Sequence, residues 1–168
     1  MNRTNVRACQ SAFRDFARVD HWTAPHAVTL TMKQGVKIPN QEGPLVFLTS
    51  DRAVQNYRHF LNVLNAAVFG KAAKRFGKRV NAVSTIEGGN GKRLHIHAVI
   101  DCPSVDLIGE FPIMVAQAWE KTQWGHREID IQPGADSGWI NYISKFGDKP
   151  IYADAIDWEN YHNADCWV

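Results

Sequence analysis

His95 and His97 stand two residues apart in the run Arg93-Leu94-His95-Ile96-His97-Ala98-Val99-Ile100. The leucine, isoleucines and valine around them favour an extended chain. On a strand, side chains alternate between faces, so both imidazoles point one way and Leu94, Ile96 and Ala98 the other. Two ring nitrogens on one face make half of a metal site. Upstream, Glu87 closes another β-like run, 79–87, and Gly88-Gly89-Asn90-Gly91-Lys92 suits a tight reversal with positive φ. A hairpin with a five-residue loop sets residue 87 near 93 and residue 85 near 95. Glu87 then shares the histidine face and reaches the imidazoles diagonally. A slip of one residue would turn it to the other face. Two imidazoles and a carboxylate leave coordination positions open, as a catalytic ion requires. The same residues also fit a plain half-exposed polar face, so a partner for the patch must be sought elsewhere in the chain.

Such a patch needs a sheet to carry it. An amphipathic helix is expected over about 4–20, with Val6, Cys9, Phe13, Phe16 and Ala17 at helical spacing. His26 to Lys33 reads as a strand, and a loop rich in Gly, Pro and Asn follows from 34 to about 44. Ser50 or Asp51 can cap a long helix to about Phe69, whose Val54, Tyr57, Phe60, Leu61 and Leu64 keep an i, i+3, i+4 rhythm. A basic segment, 70–77, precedes the hairpin. Ser104 can cap a helix over about 105–124 that Pro112 kinks or divides. His126 to Ile131 alternates as a further strand, Pro133-Gly134 turns the chain, and Asp136 or Ser137 caps a short helix to about Phe146.

Consecutive strands joined by a tight turn are antiparallel. The order helix, strand, helix, strand, strand, helix, strand, helix therefore points to an α+β domain with an antiparallel sheet and helices packed on one face. This is the split βαβ plan, and it leaves the other sheet face for the His-His-Glu patch. One domain is expected over 1–168, with its core at about 26–147, an N-terminal helix and an acidic, aromatic extension at 148–168.

That short late helix carries Trp139-Ile140-Asn141-Tyr142-Ile143-Ser144-Lys145-Phe146, with Tyr142 and Lys145 three apart on one helical face. A tyrosine hydroxyl is a weak nucleophile at its usual pKa of ~10, and a nearby cation favours the phenolate. His-hydrophobic-His on a strand followed by Tyr-x-x-Lys on a helix resembles the HUH endonuclease superfamily. Within it, the resemblance is to single-tyrosine initiators of rolling-circle replication. Val28-Thr29-Leu30-Thr31 is similar to that family's earlier strand motif, and Glu87 to its third metal ligand.

The resemblance covers about 26–147 and implies an RRM-like fold and a sequence-specific nickase of single-stranded DNA. It makes Tyr142 the nucleophile and Lys145 its companion. Glu87, His95 and His97 would hold one Mn²⁺ or Mg²⁺. The partner implied is single-stranded DNA or a DNA hairpin at a replication origin, with a separate helicase because this chain has no phosphate loop of its own. A bacterial cytoplasm, with a plasmid or phage as source, is the setting expected.

The remaining features are compatible with this reading. A net charge of +2 is too small to imply nucleic acid, but Lys71, Lys74, Arg75, Lys78 and Arg79 cluster, and Lys92 and Arg93 sit at the hairpin. Such residues can hold phosphates without choosing a sequence. Cys9, Cys102 and Cys166 are odd in number and scattered, which argues for a reducing compartment and against a disulfide framework. No secretory signal is read at the N-terminus. No apolar run approaches the ~18 residues of a membrane span, so no membrane partner is expected. Three other readings stay open: a related single-tyrosine transposase, a non-catalytic single-strand-binding module, and a cupin-like oxygenase using an acid such as Asp101. The last would need many more strands than the chain offers.

Overall fold

The computed structural model describes residues 3–37, 43–89, 91–144 and 155–164. Alternating apolar positions build four strands: β1 (Pro25–Met32), β4 (Ala82–Gly89), β5 (Lys92–Asp101) and β6 (Gly125–Pro133). They pair antiparallel throughout, in the order β4-β5-β1-β6. The two hydrophobic runs of highest β-propensity, β1 and β5, thus take the centre. The stretch between β1 and the first long helix adds a small ribbon of β2 (Gly35–Val36) and β3 (Val46–Phe47), where only a loop is expected from sequence.

The period of two sorts the sheet into unlike faces. Val28, Leu30, Met32, Ile96, Ala98 and Ile100 all point one way and are fully buried. Helices α2 (Ser50–Phe69) and α4 (Phe111–Glu120) cover them with Tyr57, Phe60, Leu64, Phe111 and Trp119. Each such side chain contributes about 1.5–3 kcal/mol on burial, so this layer carries most of the stability. Both helices lie where the α+β plan puts them.

The opposite face is divided. Ala27, Val83 and Val99, toward one end of the sheet, are buried under α1 (Arg3–Phe16), α5 (Ser137–Ile143) and Ala155-Ile156. The other end, with Thr29, Thr31, Glu87 and His95, stays partly exposed. The division follows from composition, since the strands change from Ala and Val to Thr, Glu and His along that face.

Several element ends differ from expectation for local reasons. The hydroxyl of Thr49, not that of Ser50 or the carboxylate of Asp51, caps α2 by accepting from the Arg52 N–H at 3.3 Å. Pro112 neither kinks nor divides a long helix. It sits in the first turn of α4, where its missing N–H costs nothing, and 105–107 form a separate 3₁₀ turn. The basic segment is itself a short helix, α3 (Lys71–Phe76), set between Gly70 and Gly77, both with positive φ. Helix α1 stops before the expected residue 20, though Ala17, Val19 and Trp22 remain buried.

Candidate metal centre beside a tyrosine

The hairpin turns later than a five-residue loop would allow. Gly89 pairs with Lys92, and the register shifts at Gly88, whose φ is +106° and which lies opposite both Arg93 and Leu94. A Cβ on Gly88 would lie 2.3 Å from the Arg93 carbonyl oxygen, so only glycine fits this close approach. The consequence is a register in which Glu87 lies opposite His95 and Thr85 opposite His97. This is two residues from the expected pairing. An even slip preserves the face, and Glu87 meets His95 directly and His97 on the diagonal.

Glu87 Oε2 lies 3.8 Å from His95 Nε2 and 3.8 Å from His97 Nε2. One donor atom from each residue falls within 4.8 Å of the others, the only such trio among the described residues. Donors ~2.1 Å from an ion sit roughly 3.0–3.4 Å apart, so side-chain adjustments of about an ångström would close the set.

The outer nitrogens are already engaged. His95 Nδ1 lies 3.0 Å from the Arg93 carbonyl oxygen, and a carbonyl only accepts. Nδ1 is therefore the donor there, and Nε2 is the ring nitrogen turned toward Glu87. His97 Nδ1 is 3.0 Å from the Thr29 hydroxyl on the neighbouring strand, which can accept in the same sense. Burial pushes the His97 pKa down from 6.5 to about 4, with His95 adding to the effect. A neutral imidazole with its lone pair aimed at a carboxylate is what a divalent cation binds.

Helix α5 brings Tyr142 to this cluster. Asp136 caps it by accepting from the Gly138 and Trp139 N–H groups. Trp139 donates its indole N–H to the Ala98 carbonyl at 3.3 Å, which anchors the helix across β5. The Tyr142 ring then stacks on Trp139, with centroids 5.0 Å apart, and meets His97 edge-on at 5.6 Å. Tyr142 is 48% exposed, so a large substrate can reach its hydroxyl. From the other side, Arg14 Nε and Gln10 Nε2 of α1 donate to the hydroxyl (2.8 Å) and carbonyl (3.1 Å) of Ser144, holding the helix end.

Of the residues expected to act, the structure brings together Glu87, His95, His97 and Tyr142. Lys145 lies outside the described residues. Lys92 and Arg93 are at the hairpin beside the histidines, and Arg93 approaches Glu128 at 4.0 Å. Lys71, Lys74, Arg75 and Lys78 belong to the other end of the sheet. Asn81, which follows them, accepts from the Asp101 N–H, six residues of extended chain from His95, roughly 20 Å away. Asp101 is likewise remote, accepting from the N–H groups of Thr23 and Ala24.

Thr29, Trp139, Arg14 and Ser144 are positioning residues that spacing alone does not single out. Thr29 is traceable through strand alternation and Trp139 through its i, i+3 relation to Tyr142. The contact between α1 and α5 spans 130 residues and leaves no local signal. No family model matches the chain, and neither a curated protein nor a solved structure matches it.

Proposed function

We propose that the protein is a divalent-metal-dependent endonuclease and strand transferase acting on single-stranded DNA, of the kind that initiates rolling-circle replication. The observation that carries this reading is the edge-on packing of Tyr142 against His97, within the Glu87-His95-His97 cluster. A histidine pair alone fits many metal proteins, and an exposed tyrosine alone fits none in particular. A nucleophile-bearing residue set beside an open three-ligand site fits phosphodiester transesterification.

The Tyr142 oxygen would attack phosphorus, forming a tyrosyl–phosphate bond as the bond to the 3′-oxygen breaks. The products are a 5′-phosphotyrosyl link and a free 3′-hydroxyl. Because one phosphodiester is exchanged for another, the same tyrosine can return the strand to a 3′-hydroxyl without ATP. Partial exposure gives the phenolic proton a route to water. Glu87, His95 and His97 would hold Mn²⁺ or Mg²⁺, which when bound supplies Lewis-acid stabilisation of charge on the phosphate. Trp139 and Ser144 fix the helix that aims the tyrosine, and Lys92 and Arg93 supply positive charge where the strand would cross the hairpin.

The test incubates a fluorescent single-stranded oligonucleotide pool with Mn²⁺ and the protein, then resolves products under denaturing conditions. A protein–DNA adduct, lost with Tyr142→Phe and suppressed by EDTA, is the expected result. Strand binding with no adduct would overturn the catalytic reading, and an adduct surviving Tyr142→Phe would move the nucleophile to another residue.

A further inference from the structure

The polar side of α2 forms a second site. Arg52, Gln55, Asn56 and His59 recur at i, i+3, i+4 and i+7, one stripe along the helix. The stripe faces the turn at 121–124 that follows α4, and the two enclose a cleft of about 630 Å³. That volume lies within the ~300–1,000 Å³ of small-molecule sites.

The floor is tied down. Asn56 donates to the Thr122 hydroxyl at 3.1 Å and accepts from the Trp124 N–H at 3.2 Å, and Thr122 donates to the Trp119 carbonyl. Arg52 spends one N–H on the Phe47 carbonyl at 2.7 Å, which orients its guanidinium and leaves further N–H groups for a ligand. By contrast, the side chains of Gln55, His59, Lys121 and Gln123 make no hydrogen bond or ion pair among the described residues. Two cations, an imidazole and three amides thus line one cleft, and none of its described lining residues is a carboxylate.

We propose that this cleft is a phosphate-binding site, separate from the metal cluster and independent of metal. Arg52 would engage phosphate oxygens through its planar N–H groups and Lys121 as a point charge, with His59 and Gln55 hydrogen-bonding the same group. Position favours a nucleic-acid strand as the bearer of those phosphates, a choice that rests on the function proposed above. The Lys33 N–H donates to the Trp124 carbonyl at 2.9 Å, and Lys33 follows β1 directly, whose Thr31 pairs with His95. The cleft therefore opens at the histidine end of the sheet, on the helical side. A strand leaving the tyrosine over the hairpin would reach it by rounding that end.

The test measures fluorescence anisotropy of a labelled oligothymidylate in EDTA, with unlabelled ATP as a second ligand. The double variant His59→Gln/Lys121→Gln is compared with wild type and with Lys121→Arg. Both altered side chains are exposed, and circular dichroism checks the fold. Expected is oligonucleotide affinity about tenfold weaker in the double variant, with a salt slope reduced by about one, and near-wild-type binding by Lys121→Arg. ATP binding that depends on the same residues, without oligonucleotide binding, would keep the phosphate site and assign it to free nucleotides. Equal affinity of wild type and double variant for both ligands would overturn the site. Adduct formation by Tyr142 is scored separately, so loss of either proposal leaves the other readable.

Discussion

The Arg93 carbonyl and the Thr29 hydroxyl each decide how one histidine presents itself. Outer partners of metal-bound histidines typically contribute 10–100-fold in affinity. Thr29→Val keeps the β-branched shape on β1 and removes the partner of His97, so Mn²⁺ binding is expected to weaken by about tenfold. Isothermal titration calorimetry checks this, with an unchanged melting temperature as the sign that the sheet is intact. Protonation of His97 offers an independent check on its burial. Its folded pKa of about 4 lies below the ordinary 6.5, so between those values the unfolded chain binds more protons than the folded one. Stability then rises with pH across that window. The penalty is absent above 6.5 and grows as pH falls toward 4, reaching roughly 3 kcal/mol at ~1.4 kcal/mol per unit. Urea denaturation of metal-free protein should show that slope, and His97→Gln should flatten it. A wild-type profile already flat from pH 4 to 6.5 would mean that His97 is not held neutral by burial.

The hairpin between β4 and β5 places the ligands, and Gly88 sets its register. Gly88→Ala forces a Cβ against the Arg93 carbonyl at a φ that disfavours any side chain, so a loss above about 1 kcal/mol is expected. Mn²⁺ affinity should fall with it, because residue 87 and the His95 side of the turn must shift together. Calorimetry on a variant that still melts cooperatively would show whether the two losses coincide. The clamp on α5 makes a different prediction. Arg14→Met removes the bond to Ser144 without touching a ligand, so adduct formation should slow while Mn²⁺ affinity stays at the wild-type value. At this scale the sequence is informative wherever the rule is local. Strand alternation alone puts Glu87, His95 and His97 on one face, and the i, i+3 spacing sets Trp139 beside Tyr142. The turn length is not legible, because three glycines near one another permit several reversals and only tertiary pairing chooses one. Pro112 misleads for a similar reason: proline suits a helix start as well as a break, and the mixed polar and aliphatic 104–110 before it gives no sign of which.

Over the whole molecule, the least legible part is the C-terminal segment, which in sequence is only an acidic stretch with aromatic residues. The structure gives it work on the outer strand. Ala82 exchanges backbone hydrogen bonds with His162 at 2.8 and 3.0 Å, and Asp157 donates its N–H to the Ser84 carbonyl. Ala155 and Ile156 enter the core beneath α1, and Trp158 packs on Phe13 and Phe16. Arg58 of α2 pairs with Glu159, which joins the helical side of the sheet to the same segment. An edge strand with free N–H and C=O groups invites pairing with other chains, and this segment covers much of β4. Hydropathy and periodicity miss it, since two isolated bridges carry no repeating pattern and its buried residues come singly. Removing residues 155–168 should therefore lower the melting temperature by about 5 °C or more and expose β4 to intermolecular pairing. Light scattering during a thermal ramp would report early aggregation. The metal ligands belong to the inner edge of β4 and to β5, so Mn²⁺ binding should survive at low temperature in whatever fraction stays monomeric. A truncated chain that melts like the full one without aggregating would show that β5 and α2 alone hold β4 in place.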